Sequence, residues 1–323
     1  MNSYIFVMFR EDQLEFKHFS VMKSECIDAL NIKPDGVYMD GTLGGAGHSI
    51  EIAKRLKKGR LIMFDLDSDA ISVAKERMTR VGCKQDFIKD NFKNFKSYID
   101  ALGVKLDGVL LDLGVSSFQI DEPERGFSYM QEGKLNMAMD SDAEFTAFDV
   151  VNKYSQSELE RIFFEYGEEK YGRAIASAIV KSRKINPILT TKELCDIIIN
   201  AVPPKYRYSD SHPAKKAFQA IRIEVNGELV GLRECLIDMV RNGLNSGGRL
   251  AVLTFHSLED RIVKEAFNIL ASDCICDKKL PICVCKQKAE VKLITKKPLT
   301  PSEEELRQNS RSHSAKLRVI EKI

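Results

Sequence analysis

The sequence of 323 residues predicts an α/β fold in which a mostly parallel sheet is interrupted by a helical insertion. Short apolar strands alternate with helices up to about Gln119, at the spacing of βαβ units. Residues 121–215 then carry helix signals without a comparable strand. An amphipathic pattern and a further apolar strand follow, so the α/β pattern resumes after the insertion.

The strands and helices of the first part alternate regularly along the chain. Each predicted strand is a short apolar run, and each predicted helix repeats apolar residues at three- and four-residue spacing. The predicted strands of this part are residues 37–40, 61–65, 86–89 and 109–112, and its predicted helices are 24–30, 50–56 and 70–78. After the insertion we predict one long helix at 216–244, a turn at 245–248 and a strand at 249–255.

Two capping boxes indicate helices inside the insertion. Ser155 with Glu158, and Thr190 with Glu193, have the spacing at which both side chains cap backbone N–H groups of a helix start. The chain is therefore predicted to consist of an N-terminal extension (1–15), a ligand-binding α/β domain (16–120 and 216–323) and an inserted helical domain (121–215) that is a candidate for RNA recognition.

Composition and charge exclude several classes of protein. Hydrophobic residues make up 44% and charged residues 30%, which excludes a collagen, a coiled coil or a disordered chain. The net charge is only +2, but residues 274–323 contain 12 Lys and Arg against 6 Asp and Glu, which favours a polyanionic partner.

No apolar run approaches the roughly 18 residues of a membrane span, and no signal peptide is recognised. The eight cysteines do not resemble a secreted disulfide pattern. We therefore expect a cytoplasmic protein with reduced thiols and no membrane association.

A glycine-rich loop lies between the first predicted strand and the next helix. Its sequence is Asp40-Gly41-Thr42-Leu43-Gly44-Gly45-Ala46-Gly47-His48, and the small residues let backbone N–H groups approach a ligand at a helix N-terminus. The spacing is neither G-x-G-x-x-G nor that of a P-loop, and no lysine follows to neutralise a triphosphate. The loop therefore favours a ligand without a polyphosphate; the alternative is a tight strand–helix turn.

Three later strand ends carry groups that suit the rest of such a ligand, because ligands of open α/β sheets lie beyond the carboxyl ends of the strands. Asp65 stands 18 residues after Gly47, where an acid binds ribose hydroxyls, although an acid there is also a common helix cap. Phe92 follows polar residues that suit a purine edge, and Asp112 begins a polar segment after the fourth strand. Together these groups favour S-adenosylmethionine and a methyltransferase. A nucleotide-binding module or a dehydrogenase is the alternative, which the glycine spacing disfavours.

Further motifs accompany the loop over nearly the whole chain. They are Phe16-Lys17-His18 with Ser20-Val21, Leu111-Asp112-Leu113-Gly114-Val115-Ser116-Ser117, Arg125-Gly126-Phe127-Ser128, His212-Pro213-Ala214-Lys215, Phe218-Gln219-Ala220-Ile221-Arg222-Ile223, Phe255-His256-Ser257-Leu258-Glu259-Asp260-Arg261 and Ser314-Ala315-Lys316-Leu317-Arg318.

In this order the motifs resemble the ribosomal RNA small subunit methyltransferase H family. The resemblance implies a class I methyltransferase (Rossmann-like) sheet with an inserted helical domain, and S-adenosyl-L-methionine as cofactor. It also implies methylation of the exocyclic N4 of a cytosine in the decoding region of 16S rRNA, in the small ribosomal subunit. The cofactor contacts that it implies are Ala46, Gly47, His48, Asp65, Phe92, Asp112 and Gln119, of which His48 and Gln119 come from the resemblance alone.

Several positions depart from the family pattern. Asn136 and Ala138 stand where an acid and an arginine are expected. Phe118 and Ser310 each replace a proline, and His313 replaces an arginine. The lost arginine leaves open how the insertion docks or meets RNA.

The positions of the cysteines bear on C5-methylation, the nearest competing reaction. That reaction needs a cysteine nucleophile beside the cofactor. No cysteine follows Asp112 or the strand that ends at Phe255, so transfer to N4 is favoured. No catalytic base is assigned, and His256 and Asp260 either line the target pocket or cap the next helix.

Three basic clusters are candidate contacts to rRNA phosphates, and the alternative for each is a solvated face. Tyr206 and Tyr208 are interleaved with the second cluster as possible stacking groups. The clusters are Lys181, Arg183 and Lys184; Lys205, Arg207, His212, Lys215 and Lys216; and Arg307, Arg311, Lys316 and Arg318.

Four cysteines near the C-terminus form a separate pattern. Cys274, Cys276, Cys283 and Cys285 place four thiols within twelve positions, which suits tetrahedral zinc, although C-x-C is tighter than the usual C-x₂₋₄-C spacing. The alternative is a reduced, partly buried loop.

Overall fold

The computed structural model describes residues 20–207, 212–274, 276, 285 and 287–323. The predicted N-terminal extension (1–15) therefore lies outside the described residues. Seven strands of the described part form a single sheet. They are β1 (Val37–Asp40), β2 (Arg60–Asp65), β3 (Lys84–Lys89), β4 (Leu106–Asp112), β5 (Leu244–Thr254), β6 (Val291–Leu293) and β7 (Lys316–Lys322).

The strand order in the sheet is β3-β2-β1-β4-β5-β7-β6. Neighbouring strands from β3 across to β5 run parallel, and β7 runs antiparallel to both β5 and β6. The mostly parallel, Rossmann-like α/β sheet predicted from the sequence is therefore confirmed, while β6 and β7 had no clear sequence signal. The chain order reverses between β1 and β4, so a crevice is expected outside the carboxyl ends of these two strands.

Helices connect the strands and build the insertion. The predicted helices and strands of the first part are confirmed, with boundaries that shift by up to three residues. The helices are α1 (Lys23–Ala29), α2 (Gly47–Arg55), α3 (Ser68–Arg77), α4 (Phe95–Leu102), α5 (Ser117–Asp121), α6 (Ala147–Lys153), α7 (Gln156–Glu165), α8 (Gly172–Arg183), α9 (Thr191–Ala201), α10 (Pro204–Arg207), α11 (Ala214–Asn226), α12 (Leu232–Asp238), α13 (Ser257–Leu270) and α14 (Glu303–Gln308). No helix of the described ranges is both long and apolar enough to cross a bilayer.

The central strands are buried on both faces of the sheet. In β2, Leu61 and Met63 face one core cluster, whereas Ile62 and Phe64 face the other, and all four side chains are fully buried. Successive side chains of a strand point to opposite faces, so a strand covered by helices on both sides has a continuous apolar sequence. This is why the strands were recognisable as short apolar runs.

The insertion has a hydrophobic core of its own. Leu159, Ile162 and Phe163 of α7 pack in this third cluster, and both predicted capping boxes are present at the starts of α7 and α9. Buried residues of α11 belong to the same cluster, although the sequence assigned residues from 216 onward to the α/β domain. We therefore propose that the inserted domain extends to Asn226.

The predicted long helix at 216–244 is wrong. The chain forms α11, α12 and a π-helical turn at Met239–Gly243 instead. Gly227 and Gly231 between α11 and α12 have φ angles of +55° and +67°, a left-handed conformation that a continuous helix does not contain. The predicted turn at 245–248 lies inside β5, beside a register shift between Leu106 and Gly108 of β4.

Candidate cofactor site

The glycine-rich loop leaves β1 at the point where the strand order reverses. Gly44 and Ala46 have φ angles of +48° and +61°, so the loop makes two left-handed steps before α2 begins at Gly47. A β-carbon at Gly41 would lie 2.4 Å from Leu111 Cδ2 and 3.0 Å from Phe92 Cβ. The backbone of the loop is therefore held close to β4 and to the end of β3, and a larger residue at Gly41 would displace both.

Asp65 at the end of β2 braces this loop. Its Oδ2 accepts a hydrogen bond from the Gly44 N–H at 2.7 Å, and its Oδ1 accepts one from the Asp67 N–H at 2.9 Å. Burial raises the pKa of Asp65 to about 6, against the lowering effect of the two hydrogen bonds. Each carboxylate oxygen has a second lone pair, so the group is still able to accept from two ribose hydroxyls.

Asp40 at the end of β1 fixes the other side of the loop. Its Oδ2 accepts from the Ser49 hydroxyl at 2.6 Å, and its Oδ1 accepts from the Thr42 N–H at 3.1 Å. The side chain is buried, and this burial raises its pKa. Asp40 thereby ties the loop to the first turn of α2, a supporting role that the sequence analysis did not assign.

The buried His48 and the partly buried Asp112 form a pair across the crevice between β1 and β4. His48 Nε2 lies 3.2 Å from the Val21 carbonyl oxygen, to which it must donate, since a carbonyl oxygen only accepts. Its Nδ1 then faces Asp112 Oδ2 at 3.5 Å. Burial raises the pKa of Asp112 to about 6, while the charge of His48 lowers it.

Asp112 also offers an atom to a ligand. Its backbone N–H donates to Thr42 Oγ1 at 2.7 Å, which anchors the segment after β4. Its Oδ1 is enclosed and has no hydrogen-bond partner among the described residues. The side chain as a whole retains 26% exposure, so it borders the crevice. An enclosed carboxylate oxygen without a donor is costly, and a donor on a bound ligand would remove that cost.

Phe92 lies at the end of β3, in a 3₁₀ turn at Phe92–Asn94. It is partly buried and packs on the core cluster that contains Phe64. The structure thus brings the loop residues Ala46, Gly47 and His48 together with Asp65, Phe92 and Asp112 at one edge of the sheet, and their role as cofactor contacts stays a prediction.

The side-chain amide of Gln119 makes three hydrogen bonds within the protein. Its Nε2 donates to Asp67 Oδ2 at 3.2 Å and to the Met139 carbonyl at 3.4 Å, and its Oε1 accepts from the Ser116 N–H at 3.1 Å. The side chain is buried in the seam between the sheet domain and the insertion. Gln119 therefore positions the segment after β4, and the direct cofactor contact that the family resemblance implies stays a prediction.

Arg125 completes this seam and was not recognised as a site residue from the sequence. Its Nη1 pairs with the fully buried Asp67 Oδ2 at 2.6 Å, and its Nη2 donates to the carbonyl oxygens of Ala138 and Met139 at 3.0 and 2.9 Å. Arg125 belongs to the insertion itself, so its ion pair with Asp67 is the bond that reaches the sheet domain. Its bonds to Ala138 and Met139 fix the insertion backbone at the position where the family pattern has an arginine. The motif that begins at Arg125 was the available sequence signal.

His256 and Asp260 both make contacts within the protein. His256 caps α13 together with Glu259, whose Oε1 lies 3.1 Å from His256 Nε2. Asp260 pairs with Arg318 at 2.7 Å and with Lys316 at 3.3 Å. Of the two alternatives left by the sequence, the structure shows the cap for His256, and Asp260 anchors β7 to α13.

Comparison with known proteins assigns the chain to a family. Residues 15–323 match the family model described as the MraW methylase family. The chain belongs to this family. Among relatives, the Ribosomal RNA small subunit methyltransferase H of Clostridioides difficile (strain 630) is 56% identical over 312 residues, which are 96% of this chain and 100% of the relative. The protein of the same name from Finegoldia magna is 52% identical, again over 96% of this chain and 100% of the relative. As a member of the MraW methylase family, the chain is a methyltransferase.

Proposed function

We propose that this protein transfers the methyl group of S-adenosyl-L-methionine to the exocyclic N4 of a cytosine in the decoding region of 16S rRNA, in the cytoplasm. The observation that carries the proposal is the convergence of the glycine loop, Asp65 and Asp112 at the reversal point between β1 and β4. Relatives named for small-subunit rRNA methylation, at 52–56% identity over 96% of the chain, support the substrate class.

The polar groups at the site fit the proposed cofactor. S-adenosylmethionine supplies an electrophilic methyl on a sulfonium. On our proposal the backbone of Ala46, Gly47 and His48 packs against it and Asp65 accepts from its ribose hydroxyls. Phe92 covers the purine, as its place beside the loop allows. Asp112 Oδ1, which is enclosed and has no donor within the part of the chain that the structure describes, accepts from an N–H group or counters positive charge.

Transfer to an exocyclic amine depends mainly on positioning, because the methyl on the sulfonium is already activated. The amine lone pair is delocalised into the ring, so the site must hold the amine in line with that methyl. The target base leaves its stack to reach the crevice, which favours an RNA loop over a duplex. Asp112 is the last residue of β4 and Ser116 caps the start of α5, and on our proposal both accept from the amine N–H groups. A carboxyl whose pKa is raised to about 6 is also suited to take the proton that the methylated amine releases.

The cysteines argue against the C5 alternative, which needs a thiolate nucleophile. Burial, with a smaller contribution from the charge of Asp112, raises the pKa of Cys26 well above its usual value. Burial likewise raises the pKa of Cys235 to about 12. Both thiols are buried and protonated near neutral pH, so neither is a competent nucleophile.

Several of the predicted RNA contacts are engaged within the protein. Arg183 donates to the Val151 carbonyl at 2.6 Å, Arg311 pairs with Asp121, and Arg207 donates to the Val202 carbonyl at 3.2 Å. Tyr208 lies outside the described residues, and Tyr206 packs on Tyr171 with ring centroids 4.8 Å apart. The exposed lysines of the insertion and of its border are therefore the stronger candidates for phosphate: Lys181, Lys184, Lys205 and Lys215.

The reaction is tested with purified protein, isotopically labelled S-adenosylmethionine and small ribosomal subunits from cells that lack the modification. Mass spectrometry of the nucleosides from the digested rRNA should find the label in N4-methylcytidine. Free 16S rRNA serves as a second substrate, to separate recognition of the subunit from recognition of the RNA alone. Label in 5-methylcytidine or in a methylated purine would contradict the proposed acceptor.

A further inference from the structure

Three cysteines from the pattern near the C-terminus converge in space. The Sγ atoms of Cys274, Cys276 and Cys285 all lie within 4.8 Å of one another, although eleven residues separate the first from the last. Their side chains are exposed or partly buried, unlike those of Cys26, Cys83, Cys195 and Cys235, which are buried. These three thiols are therefore gathered at the surface, away from the hydrophobic cores.

The separation of the sulfur atoms fits metal coordination better than a disulfide. Cys285 Sγ lies 3.9 Å from Cys274 Sγ. Two thiolates bound to one tetrahedral zinc, each at about 2.3 Å, stand about 3.8 Å apart. A disulfide would bring the two atoms to about 2.0 Å. The spacing of this pair is thus that of one edge of a tetrahedron around a zinc ion.

The base of the loop that carries the thiols is closed by hydrogen bonds. The Glu290 N–H donates to the Leu270 carbonyl at 2.7 Å, and the Ala289 N–H donates to Asp273 Oδ1 at 3.0 Å. Gln287 Nε2 donates to the Ile269 carbonyl at 2.6 Å and to the Ser272 carbonyl at 3.1 Å. The segments before Cys274 and after Cys285 are therefore held side by side at the junction between α13 and β6, so less chain entropy opposes bringing the thiols together.

We propose that Cys274, Cys276 and Cys285 bind a structural zinc ion that closes the loop between α13 and β6. Zinc in structural sites takes four ligands, and thiolates are its common protein ligands. Cys283, which the sequence analysis grouped with the other three, lies outside the described residues, so the fourth ligand is left to experiment. Nearby lysines of the sequence, among them Lys288, would offset the negative charge of a thiolate-rich site.

The first test is the metal content of untagged protein, purified under reducing conditions without a chelator. Inductively coupled plasma mass spectrometry should find about one zinc per chain, since a structural site holds one ion. Cys274→Ser and Cys285→Ser should each lose the zinc, by about tenfold or more, because a serine hydroxyl is a poor ligand for zinc. Cys83→Ala, which alters a cysteine outside the cluster, should retain the zinc.

A further variant, Cys283→Ser, shows whether Cys283 supplies the fourth ligand. Loss of zinc assigns Cys283 as that ligand, and retention of zinc means that another group supplies it.

A second test uses the wild-type chain and does not depend on the folding of a variant. Cobalt(II) exchanged into the protein should show intense visible bands and thiolate-to-metal charge transfer, as tetrahedral thiolate sites do. A thiol reagent should react with the cluster only after a chelator is added. Zinc below about a tenth of an equivalent in the wild type would overturn the proposal. The proposal would also be overturned if the protein contained iron in place of zinc. It would likewise be overturned if the mass of the non-reduced protein were lower than that of the reduced protein by the hydrogens lost when disulfides form.

Discussion

Asp65 and Asp112 are two carboxyl groups whose pKa values burial raises to about 6, yet they are placed for different tasks. Both oxygens of Asp65 accept backbone N–H groups, so it is held rigidly at the end of β2. Asp112 Oδ1 has no such partner among the described residues. The first group is therefore suited to hold a cofactor in a fixed place, and the second to meet a group that arrives.

Asp65→Ala should weaken binding of S-adenosylhomocysteine by roughly 10- to 150-fold, because charge-assisted hydrogen bonds contribute about 1.5–3 kcal/mol. Isothermal titration calorimetry measures the change, and circular dichroism checks that the variant is folded. Asp69→Ala removes an exposed acid four residues away and should leave the affinity unchanged. Equal affinities of a folded Asp65→Ala variant and the wild type would remove Asp65 from the site.

Asp112→Asn should stabilise the protein at pH 8 and slow methyl transfer. A raised pKa means that the folded state binds the proton more tightly than the unfolded state does. The contribution of Asp112 to the free energy of unfolding is therefore intact below about pH 4 and is lost as the pH rises through about 6. At pH 8 the ionised, buried group destabilises the wild type by about 1–3 kcal/mol, and the neutral amide avoids this cost.

Urea unfolding of both proteins at several pH values between 4 and 8 measures this difference, which should shrink as the pH falls. Asp100→Asn, at an exposed acid on α4, is the control and should show no such trend. A stability difference that does not depend on pH would contradict the expectation that ionisation of the buried Asp112 carboxyl destabilises the protein.

Among the structural elements, the glycine loop is the one whose shape depends on close packing with its neighbours. A methyl at Gly41 would meet Leu111 Cδ2, which rotates, and Phe92 Cβ at 3.0 Å, which moves only with its backbone. Ala46 and Gly44 both adopt left-handed angles, so the loop has little freedom to shift away. The loop and the end of β3 are therefore expected to move together.

Gly41→Ala should weaken cofactor binding by about tenfold and lower stability by about 1–3 kcal/mol, the usual cost of overpacking. Calorimetric titration and thermal unfolding measure the two effects. Gly82→Ala is the matched control, since no atom lies within 4 Å of the added carbon there. An unchanged affinity in Gly41→Ala would show that the loop does not contact the cofactor closely.

Three hydrophobic cores and a polar seam organise the described residues, which agrees with the proposed division into a sheet domain and an insertion. The sheet domain has a core on each face, and the insertion has a third core of its own. Arg125 connects them through Asp67 on one side and through the carbonyl groups of Ala138 and Met139 on the other. Directional bonds of Arg125 therefore help to hold the two parts together.

Arg125→Gln should cost about 3–5 kcal/mol, because it leaves the fully buried Asp67 without its counter-ion. Urea unfolding measures the loss. Arg55→Gln removes the exposed ion pair with Glu51 and should cost less than about 1 kcal/mol. A similar small effect in both variants would mean that the insertion is held by apolar contacts instead.

Recognition of the ribosomal subunit depends on how several elements are arranged, because the candidate phosphate contacts come from separate helices of the insertion. Replacement of Lys181, Lys184 and Lys205 by glutamine should weaken subunit binding and reduce the dependence of log K on log salt by about one per lost contact. Affinity for the cofactor should not change. Lys57 and Lys58, at the amino-terminal side of β2 and thus at the opposite edge of the sheet, are the control pair. If the insertion variant and the control variant weakened subunit binding equally, the RNA would not bind at the lysines of the insertion.

The sequence by itself determined the elements that have a local cause. The apolar runs of β1 to β4, the capping boxes of α7 and α9, and the glycine loop were all predicted, because strand burial, helix capping and left-handed turns depend on residues near one another in the chain. The strand-end positions of Asp65, Phe92 and Asp112 followed from the same local pattern.

Only the tertiary structure decided which groups meet across long separations. The apolar pattern at 216–244 is continuous, yet two left-handed glycines and the core of the insertion break it into α11 and α12. Gln119 donates hydrogen bonds to Asp67 and to the Met139 carbonyl, and the sulfur atom of Cys274 lies 3.9 Å from that of Cys285. Such contacts depend on how whole elements pack, and local periodicity carries no information about the partner that each surface will find.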